Sequence, residues 1–130
     1  MSEIEHDRRY VRGVEYFNEC EYFEAHDVWE ELWQEYTGED RTFLQGLIQA
    51  AVCLHHFANG NTRGAVKLYH SSRRYLEPFA PRHCRLDVSR FLDEMTDCCR
   101  DIIGSEETYP SGEIPEDRLP EIELLDADAS

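Results

Sequence analysis

The sequence has almost no lysine. Of its 13 basic residues, 12 are arginine, and Lys67 is the single lysine. It has no Cys-x-x-Cys spacing, and its five cysteines, Cys20, Cys53, Cys84, Cys98 and Cys99, are odd in number. A disulfide framework and a zinc ribbon are therefore not expected. No apolar run reaches the roughly 18 residues that a membrane span needs. The start, Met1-Ser2-Glu3-Ile4-Glu5, offers neither a basic stretch nor an apolar one, so no secretory leader is expected and the expected location is the cytoplasm. A basic field is missing as well: 28 acidic residues outweigh the basic ones, and the net charge is −15. Nucleic acid and membranes are therefore not expected partners, because both present phosphate to the protein.

What is present suits one globular domain. The 130 residues are 41% hydrophobic and 12% aromatic, which rules out a disordered chain and suffices for a core. The acid excess with so little lysine is similar to the composition of cytoplasmic proteins from salt-loving archaea. Read that way, the charge keeps the protein dissolved and carries no information about substrate.

Hydrophobic spacing predicts five helices. The first covers 7–19, with Tyr10, Val14 and Phe17 inward. The second covers 22–36 and ends at Thr37-Gly38-Glu39. The third runs from Asp40, as N-cap, to Ala58, and is apolar almost all round, as a central helix should be. Gly46 within it is expected to admit a close neighbour. Asn59-Gly60-Asn61 marks a turn, Asn61 or Thr62 caps a fourth helix over 62–77, and Pro78 and Pro81 stop it. A fifth begins at Asp87 and ends at Gly104. From Ser105 the composition changes: three prolines, nine acidic residues and one arginine read as an extended acidic tail. The expected architecture is all-α, a bundle over 1–104 followed by a tail over 105–130. Ile114, Leu119, Ile122, Leu124 and Leu125 are expected to lie along the body.

The second helix has an unusual wheel. Glu24, Asp27, Glu31 and Glu35 share a polar wedge, while Tyr22, Phe23, Trp29 and Trp33 form an apolar arc. His26 and Glu30 sit inside the apolar arc, one turn apart and within reach of each other. On the third helix Gln45, Gln49 and His56 fall on one stripe, within about 40° on the wheel. If the stripes face each other, the chain has a buried cluster of His26, Glu30, Gln45, Gln49 and His56, walled by Phe23, Trp29 and Trp33.

Three readings of that cluster stand open. It is a buried hydrogen-bond network in a non-enzymatic binding or interaction module, with a homodimer as one partner arrangement. Or it is a small-ligand or divalent-metal site, with His26, Glu30 and His56 as ligands, serving a metal-assisted hydrolase. Or the His26–Glu30 dyad works as a metal-free acid–base pair. No His-Glu-x-x-His motif and no placed nucleophile accompany it. The outer face of the fourth helix is locally basic, through Arg63, Lys67, His70, Arg73 and Arg74, and His83 and His6 belong to no pattern.

His26-Asp27-x-x-Glu30-x-x-Trp33, then Gly46-Leu47-Ile48-Gln49, His56 and Gly60-Asn61-x-x-Gly64-Ala65, resembles the signature of a small helical family known as domain of unknown function 309. The resemblance covers roughly residues 8–80. Asp27 stands where that pattern more often has Glu. The resemblance implies an all-α bundle and brings no activity, cofactor or catalytic residue with it.

Overall fold

The computed structural model describes residues 4–103 and 119–125. Five helices carry the fold: α1 (Arg8–Asn18), α2 (Tyr22–Glu35), α3 (Gly38–Ala58), α4 (Thr62–Leu76) and α5 (Val88–Ile103). The all-α class expected from hydrophobic spacing is the one observed. None of these helices is long and apolar enough to cross a membrane.

α3 is the axle of the bundle. Phe43, Leu44, Leu47, Ile48, Ala50, Ala51, Cys53 and Leu54 are all buried in it, against α2 on one side and α4 on the other. Gly46 lets α4 come close: a Cβ there would stand 2.6 Å from Leu76 Cγ. Gly13 serves the α1–α2 contact in the same way. Its missing Cβ would fall 2.1 Å from Trp29 Nε1. That indole N–H donates to the Tyr10 carbonyl at 3.2 Å, which ties α2 to α1 across the buried interface.

Local capping explains most helix starts. Asp7 accepts from the Arg9 amide at 2.9 Å and opens α1, and the Arg9 guanidinium beside it holds its carboxyl below the usual range. Asn61 accepts from the Gly64 amide at 3.1 Å and opens α4. Asp87 accepts from the Arg90 amide at 3.0 Å at the head of α5. Asp40 is a correction. The cap position of α3 is Thr37, Gly38 is the first helical residue at φ +71°, and Asp40 stands inside the first turn with its carboxylate turned elsewhere.

Two elements have no sequence signal behind them. Short 3-10 turns occupy Ile4–His6 and Glu77–Phe79. A minimal antiparallel hairpin joins β1 (Arg82–His83) to β2 (Leu86–Asp87), pairing Arg82 with Asp87 and His83 with Leu86. Two-residue strands are too short to show alternation. Their turn residues, Cys84 (φ 48°) and Arg85 (φ 63°), both adopt the left-handed conformation that usually calls for Asn or Gly.

Residues 119–125 run extended along the body. The Asn18 side-chain amide bonds the Ile122 backbone twice, donating to its carbonyl at 2.7 Å and accepting from its amide at 2.8 Å. Arg85 holds Leu125 twice, accepting its amide at 2.8 Å on the main chain and donating from Nε to its carbonyl at 2.6 Å. Ile122 is buried, and Leu119 and Leu124 pack half-buried on the core. Ile114, expected to join them, lies outside the described residues.

Candidate functional site

His26 and Glu30 meet as their spacing requires: His26 Nε2 stands 2.9 Å from Glu30 Oε2. The other ring nitrogen, Nδ1, faces the Phe23 carbonyl at 3.1 Å and Asp27 Oδ1 at 3.6 Å. Both nitrogens thus point at oxygens. A metal ion or substrate would have to displace one of these contacts to reach either nitrogen.

The pair is not buried, which corrects the expectation of a sealed cluster. The Glu30 side chain is 46% exposed and that of His26 is 21% exposed. Phe23, expected as a wall, is 49% exposed. Its ring lies between His26 at 5.4 Å and His55 at 5.5 Å, and His55 in turn neighbours His56 at 6.3 Å. The turn after α3 supports both imidazoles. Asn59 Nδ2 approaches His55 Nε2 at 3.3 Å, and Asn61 Nδ2 approaches His56 Nδ1 at 3.3 Å. The result is an open aromatic and imidazole face at one end of the α2–α3 pair, with exposed Asp27 beside His26.

The remaining predicted members lie elsewhere. Trp29 is fully buried against α1. Trp33 is half-buried under the Arg41 guanidinium, 3.8 Å above its ring, and shares a cleft of about 470 Å³ with Thr42, Gln45 and Tyr75. Gln49 keeps its Oε1 buried, with no hydrogen-bond partner among the described residues. The stripe of Gln45, Gln49 and His56 is real in angle but long in height. Eleven residues of helix span about 16 Å, so its two ends serve different neighbourhoods. The metal set His26, Glu30 and His56 is not among the ligand groups that the described residues gather. Among the described residues the three do not bring ligand atoms together.

A different trio does. One ligand atom from each of Asp40, His83 and Cys84 lies within 4.8 Å of the others. His83 Nε2 is 3.3 Å from Asp40 Oδ1, both side chains are about one-fifth exposed, and Cys84 is buried. The His83 ring is gripped by Phe43 at 4.8 Å and Phe79 at 4.7 Å. No sequence pattern marks this group, because 43 residues separate Asp40 from His83. The only available hints were a His-Cys pair next to prolines and an Asp at the head of a helix.

The basic face of α4 is partly spent on structure. Arg73 donates to Thr96 Oγ1 of α5 at 2.8 Å and pairs with Glu77 at 3.0 Å. Of the cysteines, Cys53 donates to the Ala65 carbonyl at 3.2 Å; hydrogen bonding with Cys99, then burial, pushes the Cys98 thiol far up, and hydrogen bonding with Cys53, then burial, does the same to Cys99, so these act as core residues. Another cleft, of about 610 Å³, lies between α1 and α2 and is bordered by Arg8, Val11, Arg12, Val28 and Glu31.

Comparison with known proteins sets these features in context. An uncharacterized protein of Bacillus subtilis (strain 168), YpuF, is 39% identical over 85 residues, which is 63% of this chain and 49% of that protein. The chain therefore spans about half the length of the curated relative it matches. The model of the family described as Domain of unknown function (DUF309) matches residues 10–68, a stretch that holds His26, Glu30, His55 and His56 and stops short of His83 and Cys84. Over that stretch, from α1 into α4, the chain resembles the DUF309 family.

Proposed function

We propose that this chain is a non-enzymatic binding module. Its recognition surface is the open end of α2 and α3, and its partner is a cationic segment of another protein. The observation that carries the reading is Phe23: a large aromatic side chain, 49% exposed, set between two imidazoles, one of which stands against the Asp27 and Glu30 carboxylates. An exposed ring whose neighbour His26 carries Asp27 and Glu30 beside it suits an arginine or lysine side chain, through cation–π attraction and charge-assisted hydrogen bonds. The net charge of −15 draws such a partner in and repels nucleic acid and anionic membranes.

Catalysis is the weaker reading. The His26 nitrogens both face oxygens, and no nucleophile is found against them among the described residues. Self-association through this face is also disfavoured, because two-fold pairing would set its carboxylates against each other. The cytoplasm is the fitting compartment for a chain whose five cysteines form no disulfide with one another.

The test is a titration of isotope-labelled protein with an arginine-rich peptide and with a glutamate-rich control, at two salt concentrations. The arginine peptide should shift resonances of Phe23, His26, Glu30 and His55, weaken in high salt, and lose its effect in Phe23→Ala. Shifts centred on another face, or undiminished binding by Phe23→Ala, would refute the assignment.

A further inference from the structure

We infer that Asp40, His83 and Cys84 form a binding site for a zinc-class divalent cation. The donors are a carboxylate, an imidazole and a thiolate, the mixed O, N and S set that borderline cations such as zinc favour over magnesium or calcium. Two O or N donors on a tetrahedral zinc, each about 2.0–2.1 Å from it, stand roughly 3.3 Å apart. Asp40 Oδ1 and His83 Nε2 are 3.3 Å apart already. The thiol lies inside the same 4.8 Å group, so small side-chain rotations close the third contact.

An ordinary ion pair would account for Asp40 and His83 alone. It would not account for how firmly the third donor is placed. Cys84 and Arg85 form the whole two-residue turn of the hairpin, and both hold a left-handed backbone although neither is glycine. Such conformations are strained for any residue with a side chain and persist where the surroundings enforce them. Here the surroundings do enforce them. The Tyr10 hydroxyl donates to the Cys84 carbonyl at 2.8 Å from α1, and Leu125 pairs with Arg85 on the other side. Phe43 and Phe79 fix the ring plane of His83. Asp40 rides on the first turn of the most buried helix. Ligands held this way by the scaffold are the condition for a tight metal site.

Three protein ligands leave one tetrahedral position. His83 also lines a cleft of about 710 Å³, shared with Gly38, Glu39, Thr42, Phe79 and Arg82, and a water or a small oxygen ligand in that cleft takes the fourth place. On binding, the Cys84 thiol gives its proton to solvent and the cation takes the sulfur lone pair. No electron changes hands.

The experiment is titration of the reduced full-length protein with Co²⁺, read by absorbance, followed by displacement with Zn²⁺. The expected spectrum shows one equivalent of four-coordinate cobalt with a thiolate charge-transfer band that zinc abolishes. Cys84→Ser should remove the band and weaken binding at least about 100-fold, and Asp40→Asn should weaken it about tenfold, while Cys20→Ser binds as the parent does. Thermal melts show whether each variant is folded, and the parent spectrum stands without any variant. A parent protein that gives no thiolate band overturns the site. So does a band that survives in folded Cys84→Ser, which would put the cation on another cysteine.

Discussion

Two of the histidine–carboxylate pairs among the described residues have similar separation and opposite character. His26–Glu30 is made within one helix, four residues apart, at 2.9 Å. His83–Asp40 is made across the fold, 43 residues apart, at 3.3 Å. The first is open, flanked by an exposed phenylalanine, and both nitrogens of its histidine face oxygens. The second is held between two aromatic rings and stands next to a buried thiol. Helical periodicity places a pair and says nothing of what lies around it. Tertiary packing decides whether a pair becomes a surface feature or a ligand set.

The largest expected difference between the two pairs is in their response to zinc. Zinc at 100 times its dissociation constant should stabilise the protein by about 2.7 kcal/mol, a rise of about 10 °C in Tm. The rise should persist in His26→Ala and vanish in His83→Gln. Equal rises in both variants would erase the contrast.

Next in size is the support beneath the open face. Gly13→Ala gains about 1 kcal/mol of helix propensity but forces a methyl into the Trp29 indole. Overpacking of this kind costs about 1–3 kcal/mol, so a net loss in denaturant unfolding is expected. A more stable variant would mean that α1 and α2 slide apart freely and that α2 is not fixed as described.

A smaller effect is expected from the His26–Glu30 pair itself. An ion pair this exposed is worth about 0.3–0.5 kcal/mol, so His26→Ala or Glu30→Ala should shift Tm by no more than a few degrees, and less at high salt. A loss of several kcal/mol would restore the buried network that its place on the apolar arc suggests. The smallest change in stability, within about 0.5 kcal/mol, is expected for Phe23→Ala, since the ring is half exposed. That variant should nevertheless lose the cationic peptide.

These contrasts explain what could be read in advance. The five helices were legible because amphipathic spacing and caps such as Asn61 and Asp87 are local signals. So was the His26–Glu30 contact, which needs only one helix. The proposed pocket was not, because the wheel reports angle and not height: Gln45 and His56 share a stripe yet lie about 16 Å apart along α3. The wheel also misplaced Phe23, which stands at the edge of the apolar arc, where rotation by a few degrees decides between core and solvent. The hairpin carrying His83 and Cys84 left no period to detect, and its meeting with Asp40 depends on how α3, α4 and α5 pack. Asp40 was visible as a helix-start residue, but its partner was 43 positions away.

One measurement separates the two pairs most directly: ring-nitrogen NMR spectra of the six histidines, with and without one equivalent of zinc. The account predicts that His83 alone changes, with Nε2 taking the shift of a metal-bound nitrogen, while His26, His55 and His56 keep their frequencies. A zinc response at His26 or His56, or none at His83, would contradict it.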